Sequence, residues 1–163
     1  MGTKIILGVA GVLAAGFFLA AASKDGPPEK QAHVNSHGAV HELVAYKSPT
    51  CGCCGNWVAY MKGKGYKVDV VEVEDVESVK RQHDIPKDLY SCHTTVVNGG
   101  EYFIEGHIPE ESIARLLEET PDISGIGMPG MPSGSPGMPG AKEGLFEIVQ
   151  VDKLQKMNLF ESI

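Results

Sequence analysis

The chain has 163 residues, of which 42% are hydrophobic and 21% are charged. This length and composition fit one globular domain with additional terminal segments. The formal net charge is −7, and no stripe of lysines and arginines is present, which argues against binding to nucleic acid. An acidic surface is compatible with cationic partners, including metal ions.

The first 22 residues have the features of an export signal. Lys4 precedes an uninterrupted apolar run over residues 5–22, and the small residues Ala20 and Ala22 come before the expected cleavage point. The run is also just long enough to span a bilayer, so an uncleaved membrane anchor is the alternative for residues 1–22. Both interpretations predict a periplasmic or otherwise extracytoplasmic protein, which in the second case is anchored to the inner membrane.

Residues 23–40 are expected to form a polar linker that contains histidines. His33, His37 and His41 follow one another at four-residue spacing. On a helix these three imidazoles would share one face, and a short histidine-rich tract can bind copper or zinc. Solvated histidines on a flexible tail are the alternative, and it is the one that the surrounding polar sequence favours.

A metal-binding domain is predicted over residues 41–123. Short runs of apolar and β-branched residues predict strands at residues 43–46 and 68–73. Helical spacing of apolar residues between them predicts a helix that stops at Gly63. Asp75 is suited to cap a second, short helix.

The second half of this domain has a strong hairpin signal. Two apolar runs at residues 94–97 and 102–104 flank the sequence Asn-Gly-Gly, which favours a tight turn. Pro109 is suited to begin a last helix with one apolar face. The resulting order, β-α-β-α-β-β-α, predicts an α/β domain of the thioredoxin-like class, with a mixed central sheet and flanking helices.

All four cysteines of the chain lie in two short stretches, Cys51-Gly52-Cys53-Cys54 and Cys92-His93. Cys51 and Cys54 have the spacing of a redox dithiol at a helix N-terminus, where the thiol pKa is lowered. Cys53 would interfere with a simple dithiol switch, but it would serve a metal as an additional soft ligand. If the third strand runs beside the first, Cys92 lies close to the other three. We therefore predict metal binding rather than structural disulfides.

Two histidines are the best imidazole candidates. His93 adjoins Cys92, and His107 lies at the end of a predicted strand. In a disulfide oxidoreductase of thioredoxin type a cis-proline normally faces the redox pair, but residues 91–94 contain no proline. The missing proline and the additional thiol both favour metal binding over peptide disulfide exchange. Trp57 is expected to belong to the core, where it could also shield a metal site from water.

Residues 124–140 are rich in methionine, proline and glycine, and we expect a loop with no helix or central strand. Met128, Met131 and Met138 are three of the six methionines of the chain. Thioethers are soft ligands that suit Cu(I). We predict that the loop folds over the cysteines as a lid and that at least one methionine approaches the metal; packing of the methionines as core filler is the alternative. Residues 141–163 are expected to be an extension with one strand.

Five motifs, in order along the chain, resemble one family. They are Tyr46-Lys47-Ser48-Pro49-Thr50-Cys51-Gly52-Cys53-Cys54 followed by Trp57, Ser91-Cys92-His93-Thr94, Glu105-Gly106-His107-Ile108-Pro109, Pro129-Gly130-Met131-Pro132, and Gly134-Ser135-Pro136-Gly137-Met138. The family is the CopG-like group of bacterial copper-resistance proteins, often described only as a metal-binding domain of unknown function. The resemblance covers about residues 42–138. It implies a thioredoxin-like fold, an extracytoplasmic location and copper as the metal.

The resemblance also implies that the cysteines bridge several copper ions and that the protein cycles Cu(I) and Cu(II), which would make it a copper oxidoreductase. The candidate copper ligands are Cys51, Cys53, Cys54, Cys92, His93, His107, Met128, Met131 and Met138. The expected partners are copper ions and other periplasmic copper-handling or electron-transfer proteins, with membrane contact only through an uncleaved N-terminal segment.

Two other functions stay open. The first is a thiol–disulfide oxidoreductase of thioredoxin type, which the Cys-x-x-Cys spacing alone would support. The second and weaker one is a structural zinc site. Four sulfurs would satisfy zinc fully and would leave the methionines without a role.

Overall fold

The computed structural model describes residues 1–2 and 40–163. The predicted signal or anchor over residues 1–22 and the predicted linker over residues 23–40, with His33 and His37, therefore lie almost entirely outside the described residues. Within the described part of the chain, no helix is long and apolar enough to cross a membrane.

Seven strands of the described chain form one mixed sheet in the order β2-β1-β3-β4-β5-β6-β7. The strands are β1 (Leu43–Lys47), β2 (Val68–Glu72), β3 (His93–Val97), β4 (Tyr102–Glu105), β5 (Ile123–Gly127), β6 (Glu147–Asp152) and β7 (Met157–Ser162). The pairs β1–β2 and β4–β5 are parallel, and the other four neighbouring pairs are antiparallel.

Three α-helices connect the strands: α1 (Gly52–Gly63), α2 (Val76–Gln82) and α3 (Glu110–Glu119). The Asp75 side chain accepts a hydrogen bond from the backbone N–H of Ser78 and caps α2, as the sequence predicts. The predicted order β-α-β-α-β-β-α is confirmed as far as α3, with a short 3-10 turn added before β3. The chain therefore has the mixed α/β architecture that was expected.

Hydrophobic side chains cover both faces of the sheet. The main core joins the inner sides of α1 and α3 to one face of the strands. Ile104 belongs to this core, whereas its neighbour Phe103 packs with Leu89 and Val151 in a second, smaller cluster. This alternation is the one that a strand with two covered faces requires. Trp57 is completely buried in the main core, in agreement with its expected place.

The sequence predicts no central strand in residues 124–140, and this prediction is wrong for residues 124–127. Ile123–Gly127 form β5, which lies between β4 and β6. The glycines are needed here because a Cβ on Gly125 would collide with the carbonyl oxygen and ring of Phe103. Glycine in a strand often marks such a close approach.

Residues 128–146 form no helix or strand. The strand expected in the C-terminal extension is present as β6, and β7 pairs with it at the edge of the sheet. No alternation or turn signal in the sequence predicts β7.

Candidate metal centre

The sheet brings three separate parts of the chain to one of its ends. In the antiparallel pair β1–β3, Lys47 lies opposite His93, so β3 does run beside β1 as predicted. In the antiparallel pair β3–β4, Thr94 lies opposite Glu105. The segment after β1, the segment before β3 and the segment after β4 therefore meet. These segments carry the four cysteines and the two candidate histidines.

The cysteine motif surrounds the first turn of α1. Cys51 is the N-cap residue, and its sulfur accepts a hydrogen bond of 3.3 Å from the backbone N–H of Cys54. Cys54 is fully buried, whereas Cys53 is half-buried with its sulfur 3.6 Å from that of Cys51. Because the first N–H groups of a helix have no partner within it, this end carries a partial positive charge that favours thiolates.

Six of the nine candidate ligands lie together in two overlapping groups. In each group the donor atoms all lie within 4.8 Å of one another. The groups are Cys51, Cys53, Cys54 and Cys92, and Cys54, Cys92, His93 and His107. Cys54 and Cys92 belong to both, so an all-sulfur set is continuous with a mixed sulfur and imidazole set.

Cys51 and Cys54 are joined by a disulfide in this structure, with their Cα atoms 5.4 Å apart. Cys53 and Cys92 are free thiols. This pairing differs from the expectation that the cysteines bind a metal rather than form disulfides. Because the thiolate is the metal ligand, the four-sulfur group can act as a whole only after the bridge is reduced.

His107 has a defined orientation and tautomer. Its Nδ1–H donates to the carbonyl oxygen of Pro136 at 2.6 Å, because a carbonyl can only accept. In the neutral ring Nε2 then carries the lone pair, and it lies 2.9 Å from the sulfur of Cys92. A backbone carbonyl that holds the second ring nitrogen in this way is typical of metal-binding histidines. Burial lowers the pKa of His107, although the bond to Pro136 acts in the opposite direction.

His93 lies at the inner end of the same site. Its ring is fully buried, 4.6 Å from the Trp57 ring and 5.0 Å from the His107 ring, measured between centroids. Burial lowers the pKa of His93 well below its ordinary value, and His107 and Lys80 add to this effect. The imidazole is therefore neutral, which is the form that binds metals.

One nitrogen of His93 lacks a hydrogen bond. Within the described residues, His93 Nε2 is buried and has no hydrogen-bond partner. Such unsatisfied groups are rare in protein interiors and require an explanation. The His93 Nδ1 atom lies 3.6 Å from the Cys92 sulfur. A metal ion bound by this imidazole is one explanation that also fits the neighbouring sulfurs.

The Cys92 thiol lies between the cysteines and the histidines. Burial, together with the neighbouring Cys53, raises the pKa of Cys92 to about 11. Without a metal this sulfur is a thiol at neutral pH, so metal binding must displace its proton.

The three methionines have different surroundings. Met128 is 1% exposed and belongs to the main core, whereas Met131 is 38% exposed. Met138 is half-buried, and its backbone N–H donates to the Ser135 carbonyl in a turn. The surroundings of Met128 agree with the alternative that methionine fills the core.

Residues 128–140, the Met-Pro-Gly segment, contact the site through their backbone. Beside the bond from His107 to Pro136, the Asn56 side chain donates to the Gly137 carbonyl at 3.4 Å. Gly137 has a φ of +86° and lies so close to α1 that a Cβ would be 2.7 Å from the Cys53 carbonyl oxygen and from the Trp57 nitrogen. The segment therefore packs over the first turn of α1.

Two residues beneath the site have no clear signal in the sequence. Lys80 of α2 and Glu105 of β4 form an ion pair whose side chains are almost completely buried. Glu105 falls within one of the family motifs, but nothing in the local sequence indicates a lysine partner in α2.

His41, the described member of the histidine series, is buried and lies 3.2 Å from the Asn98 side-chain nitrogen.

The described residues form an α/β domain in which cysteine and histidine donor atoms are grouped at one end of the sheet. The chain is similar to two solved structures described as the copper resistance protein copG. Form 2 has 31% identity and a TM-score of 0.70, over 77% of this chain and 99% of that one. Form 1 has 32% identity and a TM-score of 0.68, over 75% and 96%.

A family model described as "Protein of unknown function, DUF411" matches residues 89–138. No curated protein matches the chain. The identity and coverage of the solved structures show that the chain belongs to the CopG family of copper-resistance proteins. The resemblance found in the sequence motifs is thereby confirmed.

The contact between Gly137 and α1 gives a test with a matched control. Gly137→Ala should lower the free energy of unfolding by about 1–3 kcal/mol more than Gly130→Ala, because only the first adds a clash. Both glycines have positive φ, and a Cβ on Gly130 meets nothing within 4 Å. Urea unfolding measures the difference, and the alkylation rate of Cys53 should rise only in Gly137→Ala. Equal effects of the two substitutions would show that the segment does not pack on the helix.

Proposed function

We propose that this protein binds copper outside the cytoplasm as part of copper resistance. Copper binds through Cys51, Cys53, Cys54 and Cys92, with more than one ion per chain. The observation that carries the proposal is the pair of overlapping donor groups, which share two sulfurs. Thiolates bridge metal ions readily, so shared sulfurs allow neighbouring ions to be bound in contact with each other.

The donor set fits copper better than zinc. Soft thiolates select Cu(I), and imidazole suits Cu(II) as well as zinc. A structural zinc ion would be satisfied by the four sulfurs and would leave His93 and His107 without a role. The unsatisfied Nε2 atom of His93 and the oriented Nε2 atom of His107 both support additional ligation next to the sulfurs. The likeness to proteins described as copper-resistance proteins supports the same metal.

The mixed group supports interconversion of the two copper oxidation states. Sulfur ligands favour Cu(I) and nitrogen ligands favour Cu(II), so a site that contains both tolerates either ion. The Cys51 and Cys54 thiols can supply the electrons. Two Cu(II) ions accept one electron each, the two thiols become a disulfide, and two protons are released. The products are two Cu(I) ions and the bridged form of the protein.

The location and the fold class are part of the proposal. The apolar run in residues 1–22 supports export, and the disulfide between Cys51 and Cys54 is compatible with an oxidising compartment. The element order and the pairing of β1 with β2 and β3 support a thioredoxin-like domain, to which β6 and β7 are additions. The Met-Pro-Gly segment, which packs on α1, would form the lid over the metal.

A thiol–disulfide oxidoreductase is the second candidate, and the disulfide between Cys51 and Cys54 at the start of α1 favours it. Against it stand Cys53, whose sulfur lies 3.6 Å from that of Cys51, and Cys92 with its two imidazole neighbours. These groups would compete with a substrate disulfide, whereas each of them adds a ligand for copper.

Replacement of Cys53 tests the metal and the stoichiometry. Cys53→Ser should lower the number of Cu(I) ions per reduced chain without changing the urea midpoint, because Cys53 is half-buried and unbridged. Copper analysis after anaerobic loading measures the number, and Ser133→Ala in the loop is the control. If the reduced protein retains zinc in preference to Cu(I) when both are offered, copper is not its metal. Insulin reduction at the rate of a thioredoxin, independent of copper, would support the second candidate.

The two histidines should control the oxidation state of the bound copper. His93→Ala and His107→Ala should weaken Cu(II) binding by about 10–100-fold and raise the copper reduction potential, because a nitrogen ligand is lost. Cu(I) binding through the sulfurs should change less. Potentiometry with optical detection measures both, and His83→Ala, in a residue outside both donor groups, is the control. An unchanged potential in both variants would exclude imidazole ligation.

The methionine segment can be tested without loss of apolar volume. Replacing Met128, Met131 and Met138 by Leu removes the thioethers, and we expect slower Cu(I) transfer to a chelator or weaker Cu(I) binding. Met128→Leu alone is the packing control, since this side chain is buried in the core. If the triple variant keeps the wild-type Cu(I) affinity and transfer rate, the methionines are packing residues.

A further inference from the structure

The segment that carries Cys92 and His93 rests on a buried carboxylate. Glu105 Oε1 accepts a hydrogen bond of 2.6 Å from the backbone N–H of Ser91. Glu105 Oε2 accepts one of 2.6 Å from the Thr94 hydroxyl. Ser91 and Thr94 are the residues on either side of Cys92 and His93. One carboxylate therefore fixes both ends of the two-residue segment.

Lys80, a residue of α2, is the ion-pair partner of Glu105. Its ammonium group pairs with Glu105, donates to the Thr94 hydroxyl at 3.0 Å and lies 5.5 Å from the centre of the Tyr90 ring. The side chains of Lys80 and Glu105 are 3% and 0% exposed. Burial raises the pKa of Glu105, while the bonds from Lys80, Thr94 and Ser91 act in the opposite direction.

Stability alone does not account for a pair of this kind. Removing two charges from water costs several kcal/mol, and apolar residues of the same volume are often equally stabilising or better. A fully bonded polar network does, however, hold its members in one geometry. Here the held segment consists of Cys92, one of the two cysteines common to both donor groups, and His93.

We propose that Glu105, with Lys80 as its counter-ion, is a positioning residue for the copper centre. It acts by fixing Ser91 and Thr94, and through them the Cys92 sulfur and the His93 ring, before the metal arrives. The inference rests on the proposed function in so far as copper is the ion whose binding depends on this geometry. The positioning of Cys92 itself does not require copper and can be measured without it.

The main variant replaces both charges, because Glu105→Gln alone would leave the Lys80 ammonium buried without a counter-ion. Glu105→Gln combined with Lys80→Met should raise the Cu(I) dissociation constant by about 10–100-fold, as loss of outer-sphere support does at other metal sites. The copper reduction potential should shift as well. Competition with a chromophoric Cu(I) chelator and potentiometry measure these changes.

A charge-matched control separates positioning from stability. Arg115→Met combined with Glu161→Gln also removes one positive and one negative charge. It breaks the ion pairs of Arg115 with Glu161 at 3.2 Å, between α3 and β7, and with Glu119 at 2.9 Å. This control should leave the dissociation constant and the potential unchanged. An equal shift in both double variants, or no shift in the first, would overturn the positioning role.

A second pair of variants applies if the double variant does not fold. Thr94→Val keeps the shape of the side chain but removes the hydroxyl that bonds Glu105 and Lys80, whereas Thr94→Ser keeps the hydroxyl. The Cu(I) dissociation constant should rise about tenfold in Thr94→Val. In Thr94→Ser it should stay close to the wild-type value. Equal values in the two variants would contradict the proposal.

Alkylation of the reduced, metal-free protein tests the positioning of Cys92 separately from copper binding. Mass spectrometry gives separate rates for Cys92 and Cys53, and only the Cys92 rate should change in Thr94→Val. If it changes while the wild-type protein binds no Cu(I), the proposed function fails and the positioning role stands. If the wild-type protein binds Cu(I) and neither the Cys92 rate nor the dissociation constant changes, the positioning role fails and the function stands.

Discussion

The antiparallel pairing of β1 with β3 is the constraint on which the site depends. It sets Lys47 opposite His93, so the chain that leaves β1 toward α1 passes the chain that enters β3. The Cys51 and Cys92 segments are distant in sequence, and only this register makes them neighbours. A shift of one residue would turn the alternating side chains of β3 to the other face. His93 and Thr94 would then exchange faces, and the site would lose both the candidate ligand and the buried hydroxyl.

Burial at this end of the sheet has two opposite consequences for the candidate ligands. It keeps His93 neutral and therefore able to bind a metal, but it also raises the pKa of Cys92. The positive end of the helix dipole lies at the first turn of α1, which carries Cys53 and Cys54. Cys92 is not on this helix, and it would gain a negative charge when a metal ion displaces its proton. Cys92 and His93 are thus uncharged in the metal-free protein.

Local signals in the sequence predict most of the fold because each depends on neighbouring residues. The hairpin around Asn98, the cap at Asp75 and the helix after Pro109 are of this kind. The strand at Gly125 was missed because the need for glycine comes from Phe103, a residue of another strand. Glycine suggests a loop when the sequence is considered alone, but in the folded protein Gly125 lets β5 pack closely against Phe103.

In the candidate site, too, the sequence predicts some residues and not others. Clustering of soft donors in the sequence is enough to predict that the four cysteines and two histidines lie together. The supporting groups are not predictable, because a lysine in a helix and a carbonyl in a loop look like ordinary surface features. Lys80 becomes part of the site only when α2 packs against the sheet. Pro136 does so only when its segment returns to His107.

Under the proposed function, the disulfide between Cys51 and Cys54 would link the redox state of the protein to its capacity for copper. The bridge removes two of the six donors that the fold brings together, including Cys54, which belongs to both groups. Cys53, Cys92 and the two imidazoles retain their donor atoms in the bridged form. Since sulfur favours Cu(I), the bridged form is poorer in the ligands that retain this ion. Oxidation of the dithiol by Cu(II) would therefore produce Cu(I) in a site that holds it less firmly, which favours its release.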